Sequence, residues 1–266
     1  MRPRRPLPMA VVAAIVVFAV ASVAHARYAP QPWSERKANA IDFMEARAGV
    51  ESFAFVEEDG KLHGYRRWRV APSGSVLKPM LMVAYLNLAS VQNRPLRERD
   101  RALLAPMIRW SDNVTAQAVL RTVGTSGLYR VARRAGMHHF RVSLPVWGLS
   151  EITAADQARF FYRIDSYVPA RHRAYARYLL SHIVTSQRWG IPPEVPAGWR
   201  IFFKGGWRFG TGEVTHQVAL LQEGDRRIAI AVLTEHNPSH DYGARTIRGV
   251  AARLLRVPLP GPTPSG

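Results

Sequence analysis

Apolar and polar positions change period along the chain, and each change marks an element. Residues 9–24 are apolar apart from Ser22, whereas the chain from residue 34 onward is patterned. Ser34 is a fair N-cap for a helix over residues 34–48, with Ile41, Met44 and Ala48 on one face. Residues 52–56 and 62–68 read as strands joined by a turn at Asp59-Gly60, a strong hairpin signal. A helix over 75–89 follows, with Leu77, Leu81, Ala84 and Leu88 at helical spacing. The middle is helical over 98–108, 114–123, 127–134, 154–164 and 170–184. The pattern then returns to strands over 199–204, 215–222 and 227–234, and a last helix covers 242–255. Strands at both ends around a helical middle predict an α+β fold. Its simplest form is an antiparallel sheet built from both chain ends with flanking helices, plus an all-helical lobe. A site is expected in the cleft between them.

The apolar run is too short to span a membrane comfortably, since spanning takes about 20 residues. Arg2, Arg4 and Arg5 precede it and Ala24-His25-Ala26 follows, the small-x-small pattern of a cleavage site. Residues 1–26 therefore read as a secretory signal or, if uncleaved, a membrane anchor, and the body is expected to work outside the cytoplasm. One domain is expected over 27–257, and the proline-rich tail 258–266 reads as loose.

Composition changes the picture in two places. The 266 residues contain no cysteine, which excludes disulfides, thiolate metal sites and a cysteine nucleophile. Lys+Arg 37 against Asp+Glu 19 gives a formal charge of +18. The arginines are scattered, with no basic stripe or interleaved aromatics, so nucleic acid is not an expected partner. A basic exported protein would instead associate with anionic envelope surfaces. Only Lys37, Lys61, Lys78 and Lys204 are lysines, so each merits inspection. The nine histidines do not suggest a metal. His138 and His139 are adjacent, and Pro238 between His236 and His240 spoils helical pairing.

Three short motifs carry candidate chemistry. Ser75-Val76-Leu77-Lys78 opens a helix, where residues three apart share a face, so the hydroxyl and amine can meet. Pro79 fits only a first turn, which places Ser75 near unpaired backbone N–H groups. The plain alternative is a capping serine and a solvent lysine. Ser111-Asp112-Asn113 could equally be a helix cap, and Lys204-Gly205-Gly206 a turn. Their joint order on a lysine-poor chain lifts all three.

In that order the motifs resemble those of the serine β-lactamases and penicillin-binding proteins, closest to the class A β-lactamase-like hydrolases, whose signature is Ser-x-x-Lys, Ser-Asp-Asn and Lys-Thr-Gly. Met107-Ile108-Arg109-Trp110, Gly124, Gly136-Met137, Trp189-Gly190-Ile191 and Asp241-Tyr242-Gly243 look similar to the family as well. The resemblance implies Ser75 as acylated nucleophile, Lys78 as its base and Ser111 as proton relay. It further implies Asn113, Gly206 and Trp207 at the substrate, Lys204 beside Ser111 and a substrate carboxylate, and an oxyanion hole from the N–H groups of Ser75 and Trp207. The implied substrates are β-lactams or peptidoglycan peptides ending in acyl-D-alanine, taken by a monomer without a cofactor.

Two departures from the family pattern bear on turnover and specificity. Class A enzymes carry a water-activating glutamate on a loop before the second group of helices. Residues 136–150 here contain no Glu, Asp or Asn. Glu151 is the nearest carboxylate and reads as an acid at the start of the helix that follows. Gly205 replaces the threonine of Lys-Thr-Gly, and bulky Trp207 follows, which leaves Arg208 or Thr215 to meet a substrate carboxylate. An intact acylation machinery and a doubtful deacylation machinery are thus expected of a serine hydrolase. A β-lactamase-like enzyme, a D-alanyl-D-alanine carboxypeptidase and an esterase are equally compatible with that, and a non-turnover penicillin or wall-peptide binding protein is the alternative.

Overall fold

The computed structural model describes residues 30–209 and 213–259. The signal or anchor expected over 1–26 lies outside them. Among the described residues, no helix is long and apolar enough to cross a membrane.

The sheet comes from both ends of the chain. Strands β1 (Val50–Val56) and β2 (Leu62–Tyr65) form the early hairpin. Strands β5 (Arg200–Arg208), β6 (Val214–Glu223) and β7 (Arg226–Glu235) form the late meander. β1 pairs with β7, Phe53 opposite Val232, which closes an antiparallel sheet of order β2-β1-β7-β6-β5. β6 and β7 are buried almost continuously, which requires cover on both faces. Helix α8 (His240–Leu255) packs on β6 and β7 and against α1 (Trp33–Glu45). Helix α5 (Ala154–Tyr162) packs on β1, β6 and β7. The predicted α+β layering is therefore present.

The helical lobe is built on α2 (Lys78–Leu86), α3 (Glu98–Arg109) and α4 (Asn113–Ala135), followed by the short α6 (Ile164–Tyr167) and by α7 (Arg173–Ser181) against β5. Every residue of α2 is buried, as expected for a helix that is apolar all round. The helix expected from residue 75 starts later, because Gly74–Leu77 forms a 3-10 turn before it. α4 contains the break expected between 123 and 127: Gly124 has φ 65° and ψ 173°, a conformation open mainly to glycine.

Three differences follow from contacts that local pattern does not encode. Val70–Pro72 (β3) and Glu151–Thr153 (β4) pair as a two-stranded sheet. Glu151 is thus a strand residue opposite Pro72, not an acid at a helix start. That role belongs to Asp156, three residues beyond the N-cap Thr153. At the C-terminus, residues 258 and 259 of the tail expected to be loose are held in place, and the rest of that tail, 260–266, lies outside the described residues. The buried Arg36 guanidinium donates to the carbonyls of Leu254 at 2.9 Å, Pro258 at 2.5 Å and Arg256, and Leu259 packs on the core.

Candidate active site

Ser75 sits in the 3-10 turn that leads into α2. The turn is tied down ahead of the serine, where Ser73 N–H donates to Ser150 C=O at 2.7 Å. A second tie comes from His216 on β6, which is fully buried. Its Nδ1 accepts from Thr234 N–H at 3.0 Å, so Nε2 carries the proton given to Pro72 C=O at 2.8 Å. Burial holds His216 below the usual imidazole range. It is a neutral strut between the sheet and the segment before Ser75, and nothing in the local sequence marks it.

Lys78 begins α2 and is fully buried. Its amine meets Ser111 Oγ at 3.0 Å, Asn113 Oδ1 at 2.9 Å and the Ser111 carbonyl. Lys204, on β5 and also fully buried, donates to Gly205 C=O at 2.8 Å and meets the same Ser111 Oγ at 3.0 Å. Ser111 therefore lies between two amines. It holds φ 61°, a left-handed conformation that costs a serine roughly 1–3 kcal/mol. The contacts with both lysines offset that strain.

The motif's three residues divide their work. Asp112 caps α4, accepting from Thr115 N–H at 2.7 Å and Thr115 Oγ1 at 2.6 Å. The capping alternative thus holds for Asp112 alone, and Ser111 and Asn113 face the lysines. Lys204 is no exposed turn residue either.

Burial lowers the Lys78 amine to about 7, opposed by the charge of Asp112. Lys204 is pushed well below the lysine range by burial and then by Lys78. The Lys78 backbone N–H donates to the Ser75 carbonyl, but among the described residues no hydrogen bond joins the Ser75 hydroxyl to the Lys78 amine, whose hydrogen-bond partners all lie on the 111–113 segment. Proton transfer from Ser75 requires the amine to turn from one of them.

The sheet edge comes close to the nucleophile turn. A Cβ on Gly206 would meet Ser75 N at 2.9 Å and Val76 N at 2.8 Å, and one on Gly74 would lie 3.5 Å from Trp207 N. Glycine is required at 206 by this approach of two backbones. Gly205 has a different reason: a Cβ there would meet Trp189 Cζ2 at 3.0 Å. The indole occupies the room that a threonine would need.

A cleft of about 310 Å³ opens over these groups, lined by Ser75, Asn113, Trp207 and Arg208 on one side and residues 145–148 on the other. Arg208 is therefore at the cleft. Thr215 is fully buried with its hydroxyl 3.1 Å from His240 Nδ1, and it does not line the cleft. Trp147 has its ring centroid 5.4 Å from Lys78 Nζ, within reach of a cation–π contact. Sequence reasoning passed over Trp147. Glu151 instead makes an exposed pair with Arg141 at 3.5 Å and does not line the cleft. A larger cavity of about 600 Å³ lies beside α1 and α8, with Asn39, Asp42 and Arg253 in its wall. It contains no nucleophile. Among the described residues, no group of three or more His, Asp or Glu could hold a metal ion.

An antiparallel sheet with a helical lobe, and a serine above two buried lysines at their junction, define the class of β-lactamase-like proteins. A model of the β-lactamase enzyme family matches residues 99–257, and the chain belongs to that family. The matched stretch includes Ser111, Asn113 and Lys204 but begins after Ser75 and Lys78. A β-lactamase of Sphaerobacter thermophilus is similar at 20% identity and TM-score 0.73, over 85% of this chain and 97% of that one. One from Xanthomonas campestris is similar at 16% identity and TM-score 0.71, over 83% and 96%. A class A β-lactamase from Mycobacterium abscessus is similar at 19% identity and TM-score 0.70, over 83% and 98%. A search of curated protein sequences finds no match. The structural likeness confirms the α+β fold.

Proposed function

We propose that the protein is an exported serine hydrolase of the penicillin-recognising kind, acylated at Ser75 by β-lactams or acyl-D-alanine amides and slow to release the acyl group. The observation that carries this is the pair of buried lysine amines sharing Ser111 Oγ beneath a cleft that Ser75 lines. Ser75 Oγ attacks the carbonyl carbon while Lys78, partly unprotonated near neutral pH, takes its proton. The developing oxyanion sits between the N–H groups of Ser75 and Trp207. Ser111 passes a proton to the leaving nitrogen, with Lys204 behind it, and the C–N bond breaks to leave an ester on Ser75. Asn113 positions the substrate amide, Gly206 lets the sheet edge approach, and Arg208 meets a carboxylate. No cofactor enters any step.

Release of the ester needs a group that holds and deprotonates water. Trp147 stands beside Lys78 and Glu151 faces Arg141 outside the cleft, and among the described residues no carboxylate lines the cleft to serve. The same observation favours a second reading, a binding protein that traps its ligand covalently without turnover. Labelled penicillin followed by digestion tests the acylation step. A label on the peptide containing Ser75, absent in Ser75→Ala, supports it, and a label that persists in Ser75→Ala refutes it. The charge of +18 supports association of this monomer with anionic envelope polymers.

A further inference from the structure

The cleft presents an unusual amount of apolar surface for one built around two lysines. Val146 lines it and is 47% exposed. Pro145, Trp147 and Trp207 line it too. Val114, Leu144 and Phe209, each the chain neighbour of a lining residue, are exposed as well. Four of its lining residues, Pro145, Val146, Trp147 and Trp207, thus present apolar surface to one cleft. A concentration of that kind marks a binding surface, whereas scattered apolar residues need no explanation. Trp189, packed edge-on against Trp207 at 6.1 Å between ring centroids and against Gly205, closes the side where a hydroxyl would meet a small polar group.

We propose that the cleft selects substrates by a long or aromatic apolar acyl group, laid along Pro145, Val146, Trp147 and Trp207 while the carbonyl is attacked by Ser75. This rests on Ser75 being the nucleophile, and it names the acyl part as the recognised part. Among the described residues Arg208 is the only charged one that lines the cleft, so most of the contact with ligand is apolar. An activated ester reports the step without β-lactam chemistry. Ser75 Oγ bonds to the carbonyl carbon, the bond to the aryl oxygen breaks, p-nitrophenolate leaves, and Lys78 receives the serine proton.

The experiment is burst kinetics with p-nitrophenyl acetate, butyrate and octanoate, corrected for Ser75→Ala and for hydroxide hydrolysis. A fully buried methylene is worth up to about 4-fold in rate. Octanoate should therefore acylate at least about ten-fold faster than acetate even if the open cleft covers only part of the chain. Val146→Asp, at a half-exposed position that tolerates charge, should compress that ratio to about 3 or less. Equal rates across the series, or a ratio unmoved by Val146→Asp, overturn the apolar specificity. A missing burst with every ester while penicillin still labels Ser75 also overturns it. A missing burst together with no penicillin label refutes the reading of Ser75 itself.

Discussion

Gly206→Ala places one methyl group where two backbones meet. Its Cβ would lie 2.8 Å from Val76 N and 2.9 Å from Ser75 N, against about 3.4 Å for an ordinary contact. The sheet edge and the nucleophile turn must separate by about half an ångström, because backbone nitrogens cannot rotate away as a flexible side chain would. Overpacking of this size costs typically 1–3 kcal/mol. The catalytic cost should be larger. The displacement moves Ser75 N–H relative to Trp207 N–H, the two donors assigned to the oxyanion. A misplacement of 1 Å can cost about 10²-fold, and losing one donor outright costs about 10²–10³. A shift of half that size should slow acylation by roughly 10- to 100-fold. The assay is the second-order rate of labelling by a fluorescent penicillin, measured with the thermal midpoint of the same preparation. A variant that labels within two-fold of the parent and melts at the same temperature would refute both the close approach and the oxyanion assignment.

Other perturbations separate the remaining parts of the account. The Lys78 amine, the proposed base, is lowered by burial to about 7; on that proposal acylation should rise with pH through 7, and a flat profile from about pH 6 to 8 would exclude it as the base. Lys78→Ala should slow labelling by about 10²–10⁴-fold. His216 is held neutral in the fold, so the unfolded chain binds the extra proton. Its contribution is complete above about pH 6.5 and is lost as pH falls through its lowered folded value. Melting curves from about pH 7.5 to 5 should show that loss in the parent and a smaller one in His216→Gln. Asp100 accepts from Tyr85 Oη at 2.8 Å, Arg94 Nη1 at 2.6 Å and Arg97 N–H at 2.7 Å. Asp100→Ala strands these donors, of which the Tyr85 hydroxyl is buried, and should cost about 1–3 kcal/mol in urea unfolding; a loss below about 0.5 kcal/mol would mean the cluster carries little stability.

What was legible in the sequence follows from the range of the interactions concerned. Hydrophobic period located every long helix and the five strands of the main sheet, because each buries a face along its own length. Gly124 and Gly136 stood out in the sequence only as family-like positions, and the structure shows the first breaking α4 and the second capping it, both at positive φ. β3 and β4 escaped notice because three-residue strands carry no measurable period, and their pairing joins residues about eighty positions apart. That long-range pairing also decided the character of Glu151. In the site, Ser75, Lys78, Ser111 and Lys204 were legible as types at a spacing. The left-handed turn of Ser111, the two amines on one hydroxyl and the neutral His216 strut all depend on contacts between distant segments. Gly205 looked like a lost threonine in the sequence, and only the position of Trp189 shows what fills its place.

The central claim is that this fold acylates and does not readily hydrolyse, and the lifetime of the acyl adduct tests it most directly. After a pulse of penicillin and removal of excess, intact-protein mass spectrometry should show a single added acyl mass that decays slowly. Glu151→Gln should leave that decay nearly unchanged, since Glu151 lies on β4 beside Arg141 and not at the cleft. Loss of a true general base typically costs about 10²–10⁴-fold, so the outcomes are well separated. Rapid turnover in the parent protein that collapses in Glu151→Gln would contradict the account and make this chain a hydrolytic β-lactamase.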